Sequence, residues 1–365
     1  MSIGGMYLQD NTNNVAVIDF GSALIRAGPA GCAFPTISHP SVLYYCEDDS
    51  VLGYTGKSAI SQRPLFDESY SFTSNDVLDS VIKKLDQGLG VEASSTPLLF
   101  SEPIHVKVLQ GNDYHNRQSL EDVVFENLSH PSMLMVPDAM LASLAHCSST
   151  SLVVEFGWSS IRIVPVIGGH IHKKAIRSHH FGGYAIAQQI ISFLESKNVT
   201  LHTSPTESLK KAAEIFKDEV HFGYMGEEEK KSILKTPDGS VDITGEINFL
   251  SDILWYPIED ISGNSTVPSL QEQIKQSISA CPQEAQKTLW TSIVTSGGFS
   301  RIQGFPDELE RRIQSVAPDK IKPRVIYPMH PSIFGSFTVW TGGSIFGASP
   351  AFSTFAATRS EWLEH

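Results

Sequence analysis

One short pattern occurs twice in this chain. VIDFGSALIRAG starts at Val17, and VVEFGWSSIRIV starts at Val153. In each, two apolar residues lead to an acid, then Phe-Gly, then three residues, then Ile-Arg. An apolar run that ends in a glycine turn and resumes as a second apolar run predicts a β-hairpin. The same hairpin in both halves indicates a duplicated domain. The chain has 365 residues, 41% of them hydrophobic, which is enough to bury more than one core.

Around the hairpins the pattern alternates between strand and helix. Helical periodicity covers 76–90, 118–130, 184–197 and 205–220, the third through Ile186, Ile190, Ile191 and Phe193. PLLF at 97–100 reads as a strand. Residues 222–245 are charged, with a DGS turn at 238–240, and belong to a peripheral subdomain. The stretch 259–270 reads as a loop ahead of an amphipathic helix over 269–281. TSIVT (291–295) is a strand, followed by Ser296-Gly297-Gly298-Phe299-Ser300 and a helix near 306–316. FTVWTGGSIFGAS (337–349) places Gly342-Gly343 ahead of a small apolar helix. Alternating strands and helices imply an α/β fold with covered sheets.

A strand that ends in a glycine turn offers backbone N–H groups to a phosphate. Two such turns could clamp a polyphosphate, with Asp19 and Glu155 at the strand ends holding metal-bound water rather than touching phosphate. Read singly, either hairpin is equally a plain turn. GYTGKS at 53–58 imitates the end of a P-loop, but position 51 is Val where the first glycine is required, so Lys57 reads as a surface residue. His170, His172, His179 and His180 have no carboxylate or cysteine at ligand spacing. Asp138, after Pro137, reads as a helix N-cap. No nucleophile triad or paired-carboxylate motif stands out.

Net charge is −13 and the pI is about 5.4. Such a balance favours basic protein partners over nucleic acid. Cys32, Cys46, Cys147 and Cys281 stand singly, with no CxxC, so they read as reduced and mostly buried. MSIGGMYLQDNTNN lacks the basic and apolar regions of a signal peptide, and no apolar run approaches a membrane span. An intracellular, soluble protein is expected.

Two phosphate hairpins, then SGG, then VWTGGSI resemble the actin family in that order over nearly the whole chain. VIDFGSALIRAGPAG (17–31) looks like its first phosphate loop, with FPTI (34–37) following. TPLLFSEP (96–103) resembles the strand before the hinge-side helix, and LVVEFGWSSIRIVPVIGG (152–169) the second loop. IVTSGGFSRIQGFPDELERRI (293–313) is similar to the segment flanking the adenosine, and FTVWTGGSIFGASPAF (337–352) to the C-terminal signature. The resemblance implies an actin-like α/β fold, with two duplicated RNase-H-like lobes around a nucleotide cleft. The first lobe would span 1–145, with a short pointed-end subdomain inserted at about 38–75. The second would span 146–335, with a peripheral subdomain at about 185–262, and 336–365 would return to the first. Carried over, Asp19 would face a metal through water, while Gly21, Ser22 and Arg26 would meet phosphate. Arg26 stands where actin has a phosphate-contacting lysine. Glu155, Gly157 and Ser159 would form the second clamp, Gly182 and Gly183 would border the ribose, and Ser296, Gly297, Gly298 and Phe299 would line the adenosine. The implied cofactor is ATP, with Mg²⁺, or an empty cleft.

Departures from the family weaken hydrolysis. The second acid of the second loop is replaced by Trp158, which cannot order metal waters. The nearest match to the water-positioning glutamine is Asp138, whose charge would repel a γ-phosphate. Phe20 and Ala23 also depart from the first loop. Weak or absent ATPase activity is therefore expected. The segment after FPTI is short, which disfavours copolymerisation into ordinary filaments, and the resemblance stops soon after SEWLEH, without the last helix and tail that help form the family's groove for barbed-end partners. A family member without hydrolysis would be a structural subunit. The first expectation is a nuclear chromatin-remodelling or histone-modifying complex, in which it pairs with actin or another actin-related protein on a helical segment of the motor subunit. SIGGMYLQDN and HKKAIRSHHFGG each resemble a nuclear branch of the family. The alternative is the pointed-end subunit of dynactin, in the cytoplasm and cytoskeleton. An active, filament-forming ATPase is a third reading. Sequence-specific nucleic-acid binding and membrane association are not expected.

Overall fold

A computed structural model describes residues 14–45, 50–52, 61–66, 71–104, 113–179, 181–201, 205–222, 231–236, 239–256, 267–326 and 337–364. The opening SIGGMYLQDN, the GYTGKS segment, Cys46 and His180 lie outside these residues. So do Lys57, Asp238 of the DGS turn and most of the 259–270 stretch. The chain divides into two units. Unit 1 comprises residues up to Ser148 together with Phe337 onward, and unit 2 is Ser149–Ser336.

In unit 1, β1 (Ala16–Phe20) turns back into β2 (Leu24–Pro29), and β3 (Ile37–Pro40) follows antiparallel. On the other side of β1 lie β7 (Leu98–Glu102) and β8 (Ser132–Pro137), both parallel to it, and the short β17 (Ala357–Thr358) closes that edge. The order is β17-β8-β7-β1-β2-β3. Ala16, Ile18 and Phe20 point into one core with Leu98, Phe100 and the buried face of α1 (Asn75–Leu89). Val17 and Leu99 point the other way, against Gly343 of the helix Thr338–Ala348. Both faces of the sheet are covered, so its strands read as unbroken apolar runs rather than alternating ones. α1 begins where Ser74 accepts the Val77 N–H and ends at Gly90, whose φ of 66° only glycine adopts freely. A separate small sheet joins β4 (Val42–Tyr45), β5 (Ser50–Leu52) and β6 (Ser61–Pro64).

Unit 2 repeats the plan. β9 (Ser151–Phe156) turns back into β10 (Ile161–Ile167), with β15 (Ile293–Ser296) and β16 (Val325–Ile326) parallel on the far side of β9. The short β11 (His170–Ile171) and β12 (Arg177–His179) pair the outer edge of β10. Thus β2-β1-β7-β8 and β10-β9-β15-β16 have one pairing pattern: antiparallel, parallel, parallel. The duplication inferred from twelve letters of sequence extends to four strands of each sheet. Helices α4 (Gly183–Ser196), α5 (Pro205–Glu219), α6 (Thr244–Trp255), α7 (Leu270–Ser279), α8 (Gln283–Thr291) and α9 (Phe305–Gln314) complete the unit. β13 (Ile233–Thr236) and β14 (Gly239–Asp242) pair antiparallel as a separate two-stranded sheet.

Four sequence expectations are corrected. Gly342-Gly343 lies inside its helix, not ahead of it, because a Cβ on Gly342 would stand 1.9 Å from the Leu141 carbonyl oxygen. The glycines are there to let that helix approach α3 (Asp138–Ala145) and the sheet. Pro137 holds the N-cap position of α3 without a side-chain bond, and Asp138 is the first residue of the helix. The helix expected over 118–130 is α2 (Asp113–Glu121) followed by a π-helical segment, Asp122–Asn127. Of the described cysteines only Cys281 is buried, while Cys32 is half-buried and Cys147 exposed.

Candidate functional site

The two glycine turns close in the same way. Gly21 N–H donates to the Leu24 carbonyl at 3.1 Å, and Gly157 N–H donates to the Ser160 carbonyl at 3.0 Å. This four-residue closure fixes the register of each hairpin. Asp19 then faces Arg26, and Glu155 faces Arg162, across adjacent strands. Each acid forms an ion pair with the arginine seven residues on. Arg26 Nη1 lies 3.0 Å from Asp19 Oδ2, and Arg162 Nη2 bonds Glu155 Oε2. Neither side chain of the Asp19–Arg26 pair is more than 12% exposed. Arg26 thus reaches a carboxylate. Its guanidinium also lies over the Phe337 ring, 5.7 Å from the centroid.

A serine stands beside each acid on the neighbouring parallel strand. Ser101 donates to Asp19 Oδ1 at 2.6 Å and accepts the Phe20 N–H at 3.1 Å. Ser296 is in register with Glu155. Both oxygens of Asp19 are therefore engaged. Sequence reasoning missed Ser101, although SEP directly after the LLF strand was visible. It also missed that Arg26 and Arg162 occupy one position of the repeat with one partner each.

The next two strand ends of unit 1 carry acids as well. Glu102 is buried and takes a two-pronged bond from Arg117, at 3.2 and 2.9 Å. Asp138 is buried and accepts the Ala139 N–H at 2.7 Å, so it satisfies one donor of its own helix start. Among the described residues no group of three His, Cys, Asp or Glu is arranged to hold a metal ion. A water-held Mg²⁺ at Asp19 would have to compete with Arg26 and Ser101.

Unit 2 gathers its sequence-predicted residues into one knot. Gly183 N–H donates to the Gly157 carbonyl at 3.1 Å, and Tyr184 N–H to the Trp158 carbonyl at 2.7 Å. A Cβ on Gly182 would stand 2.6 Å from backbone atoms of the 158–160 turn, and one on Gly183 would meet the Phe299 ring at 2.2 Å. Gly297 has φ 89°, and a Cβ there would lie 2.3 Å from the Phe156 carbonyl oxygen. Packing alone therefore requires Gly182, Gly183 and Gly297, whatever else they do. Trp158 sits half-buried against the unit 2 core, edge-on to Tyr184 at 5.9 Å. Ser22 and Ser159 lie half-buried in the two turns. Beyond the 296–299 turn lies a cavity of about 380 Å³, lined by Glu214, Lys217 and Asp218 of α5 and by Arg301, Gln303 and Asp307.

Asp19 and Arg26, like Glu155 and Arg162, are thus committed to one another, whereas the segment that follows the 296–299 turn of unit 2 borders open volume. Comparison with known proteins places the chain in a family. The family model described as Actin matches residues 10–223 and 221–365. Actin-related protein 4 of Arabidopsis thaliana is 24% identical over 441 residues, covering 99% of this chain and 98% of that protein. Actin-related protein 4 of Oryza sativa subsp. japonica is 23% identical, covering 80% of this chain and 74% of its own length. Actin-like protein 9 of Mus musculus is 26% identical, over 100% of this chain and 89% of that protein.

Proposed function

Because the chain belongs to the actin family, we propose that it is a non-catalytic structural subunit of a nuclear chromatin-remodelling or histone-modifying complex. It pairs there with actin or another actin-related protein, on a helical segment of the motor subunit. The observation that carries the non-catalytic reading is the cross-strand ion pair at each glycine turn. An acid neutralised by its own arginine has little charge left for metal waters. An arginine held by an acid has to break a partly desolvated bond before it can meet a phosphate. Trp158 supplies no second acid, and Asp138 offers a carboxylate where an amide would orient water. Hydrolysis of ATP is absent on this reading, while adenosine nucleotide retained at the unit 2 side is compatible with it. The nuclear assignment is supported by the likeness to proteins named actin-related protein 4 and by the R-S-x-x-F-G-G run ending at Gly183.

Two measurements test this reading. Acid extraction of the purified protein, with phosphate release followed in Mg-ATP, should give intact ATP or no nucleotide and no phosphate. Recovered ADP with steady phosphate release would overturn the non-catalytic reading. Affinity purification from the native source should bring down a remodelling motor subunit with actin or another actin-related protein. Recovery of dynactin subunits instead would move the protein to the cytoskeleton.

A further inference from the structure

We propose that the outer edge of unit 2 at Lys173, Lys174 and Arg177 is a docking surface for an extended acidic peptide segment of a partner protein. This names a contact of the subunit proposed above. It rests on charge and placement alone, and its test uses the isolated chain, so a wrong choice of complex would leave it standing.

In a chain of net charge −13, no Asp or Glu occurs between Glu155 and Glu195. The cations of that stretch are not scattered. Arg162 is spent on Glu155, while Lys173 and Lys174 share one 3₁₀ turn and Arg177 opens the strand that follows it. β11 and β12 both pair the outer edge of β10, and the 3₁₀ turn Lys173–Ala175 bridges them. His170, Lys173 and Lys174 are exposed, and neither lysine forms an ion pair among the described residues. The mount is rigid. Ala175 is buried, and its carbonyl accepts the Ser277 hydroxyl of α7 at 2.7 Å. Arg177 Nη1 donates to the Ile176 carbonyl at 2.8 Å and to the Lys174 carbonyl at 3.4 Å. From α7 the turn meets Ser277, and Arg177 lies near the Cys281 thiol. The α7 acid Glu272 is held by Lys275 at 3.5 Å.

A turn whose backbone is already braced loses little main-chain freedom when a ligand arrives, so the remaining ordering cost is that of the lysine side chains. A local positive field inside a negative chain selects an acidic partner and repels basic ones. The patch is one turn wide, so it suits a short peptide. A nucleic-acid duplex would have to lie along a surface whose remaining charge opposes it. The competing reading is that the lysines only keep a sheet edge from pairing with other strands.

The test is fluorescence anisotropy of a labelled oligo-glutamate peptide against the full chain, with a labelled DNA duplex as competitor class. Lys173→Glu/Lys174→Glu should weaken the peptide by about tenfold or more. Lys210→Glu/Lys211→Glu makes the same charge change on exposed α5 positions and should change affinity less than about threefold. Should the first variant misfold, Lys173→Ala/Lys174→Ala serves in its place, with a smaller loss expected. Equal loss in the two variants, tighter binding of duplex than of peptide, or no peptide binding at about 50 mM salt would each overturn the proposal.

Discussion

Replacing Arg26 by Met removes the cation that faces Asp19 while keeping much of its aliphatic bulk. Asp19 is 6% exposed and would keep only the Ser101 hydroxyl at 2.6 Å. Breaking a buried ion pair from one side costs about 3–5 kcal/mol, because the survivor stays charged in a poor solvent. The remaining serine bond puts this case at the low end, about 3 kcal/mol. Asp19→Asn removes the stranded charge and retains an acceptor for Ser101. The double variant Asp19→Asn/Arg26→Met should therefore cost less than Arg26→Met alone, at about 1–2 kcal/mol. The assay is native-state hydrogen exchange on peptides from 15–29, which reports unit 1 without requiring the whole chain to unfold as one. At 1.36 kcal/mol per decade, the single variant should lose about two decades of protection. If Arg26→Met costs under about 1 kcal/mol, as an exposed pair would, the desolvation argument fails. If the double variant is as damaging as the two singles added together, the two residues do not act as a pair.

Other outcomes follow from glycine placement and from titration. Gly342→Ala should cost about 3 kcal/mol or more in a urea unfolding series, since its Cβ would press on the Leu141 backbone. Gly245→Ala meets nothing within 4 Å inside α6 and should raise stability by about 0.5–1 kcal/mol, read as a higher Tm. Glu308 is buried and bonded by Arg311 and Arg312, and the Arg311 bond, followed by that from Arg312, holds its carboxyl below the usual value of 4.5 against the opposing effect of burial. A depressed folded-state pKa gives stability that is present above 4.5 and is lost as pH falls below it. Glu308→Gln should flatten that acid loss relative to the parent chain. Burial raises Glu121 and Glu246, which act in the opposite sense in both proteins and cancel in the comparison. An unchanged acid limb in Glu308→Gln would contradict the assignment.

The hairpins were legible because their turns are written locally, with an acid, Phe-Gly and Ile-Arg at fixed spacing. What those residues do with one another was not. The Asp19–Arg26 and Glu155–Arg162 pairs depend on a turn of four residues. A turn one residue longer would set each acid beside the wrong neighbour. Ser101 was hidden for a different reason, since its partner lies 82 positions away and is set by strand order. Gly342-Gly343 looked like a break because glycine is a poor helix former. Only the close Leu141 backbone explains its place inside a helix. α8 was not among the sequence expectations; it starts directly after Pro282, which holds its N-cap position. The helical pattern over 118–130 did not distinguish the π-helical segment Asp122–Asn127 from α-helix.

Unit 1 is discontinuous along the chain, and that orders its assembly during synthesis. The β1 face at Val17 is sealed by Gly343 and by the Trp340 indole, which donates to the Val17 carbonyl across 323 positions. When the ribosome has made residues 149–336, every strand and helix of unit 2 is present and its core can close. The first unit, although synthesised earlier, still lacks the helix that covers one side of its sheet. An exposed, apolar, half-finished sheet waiting for a distant helix is a natural client for a chaperone. The part of the chain made first is thus the last to be completed.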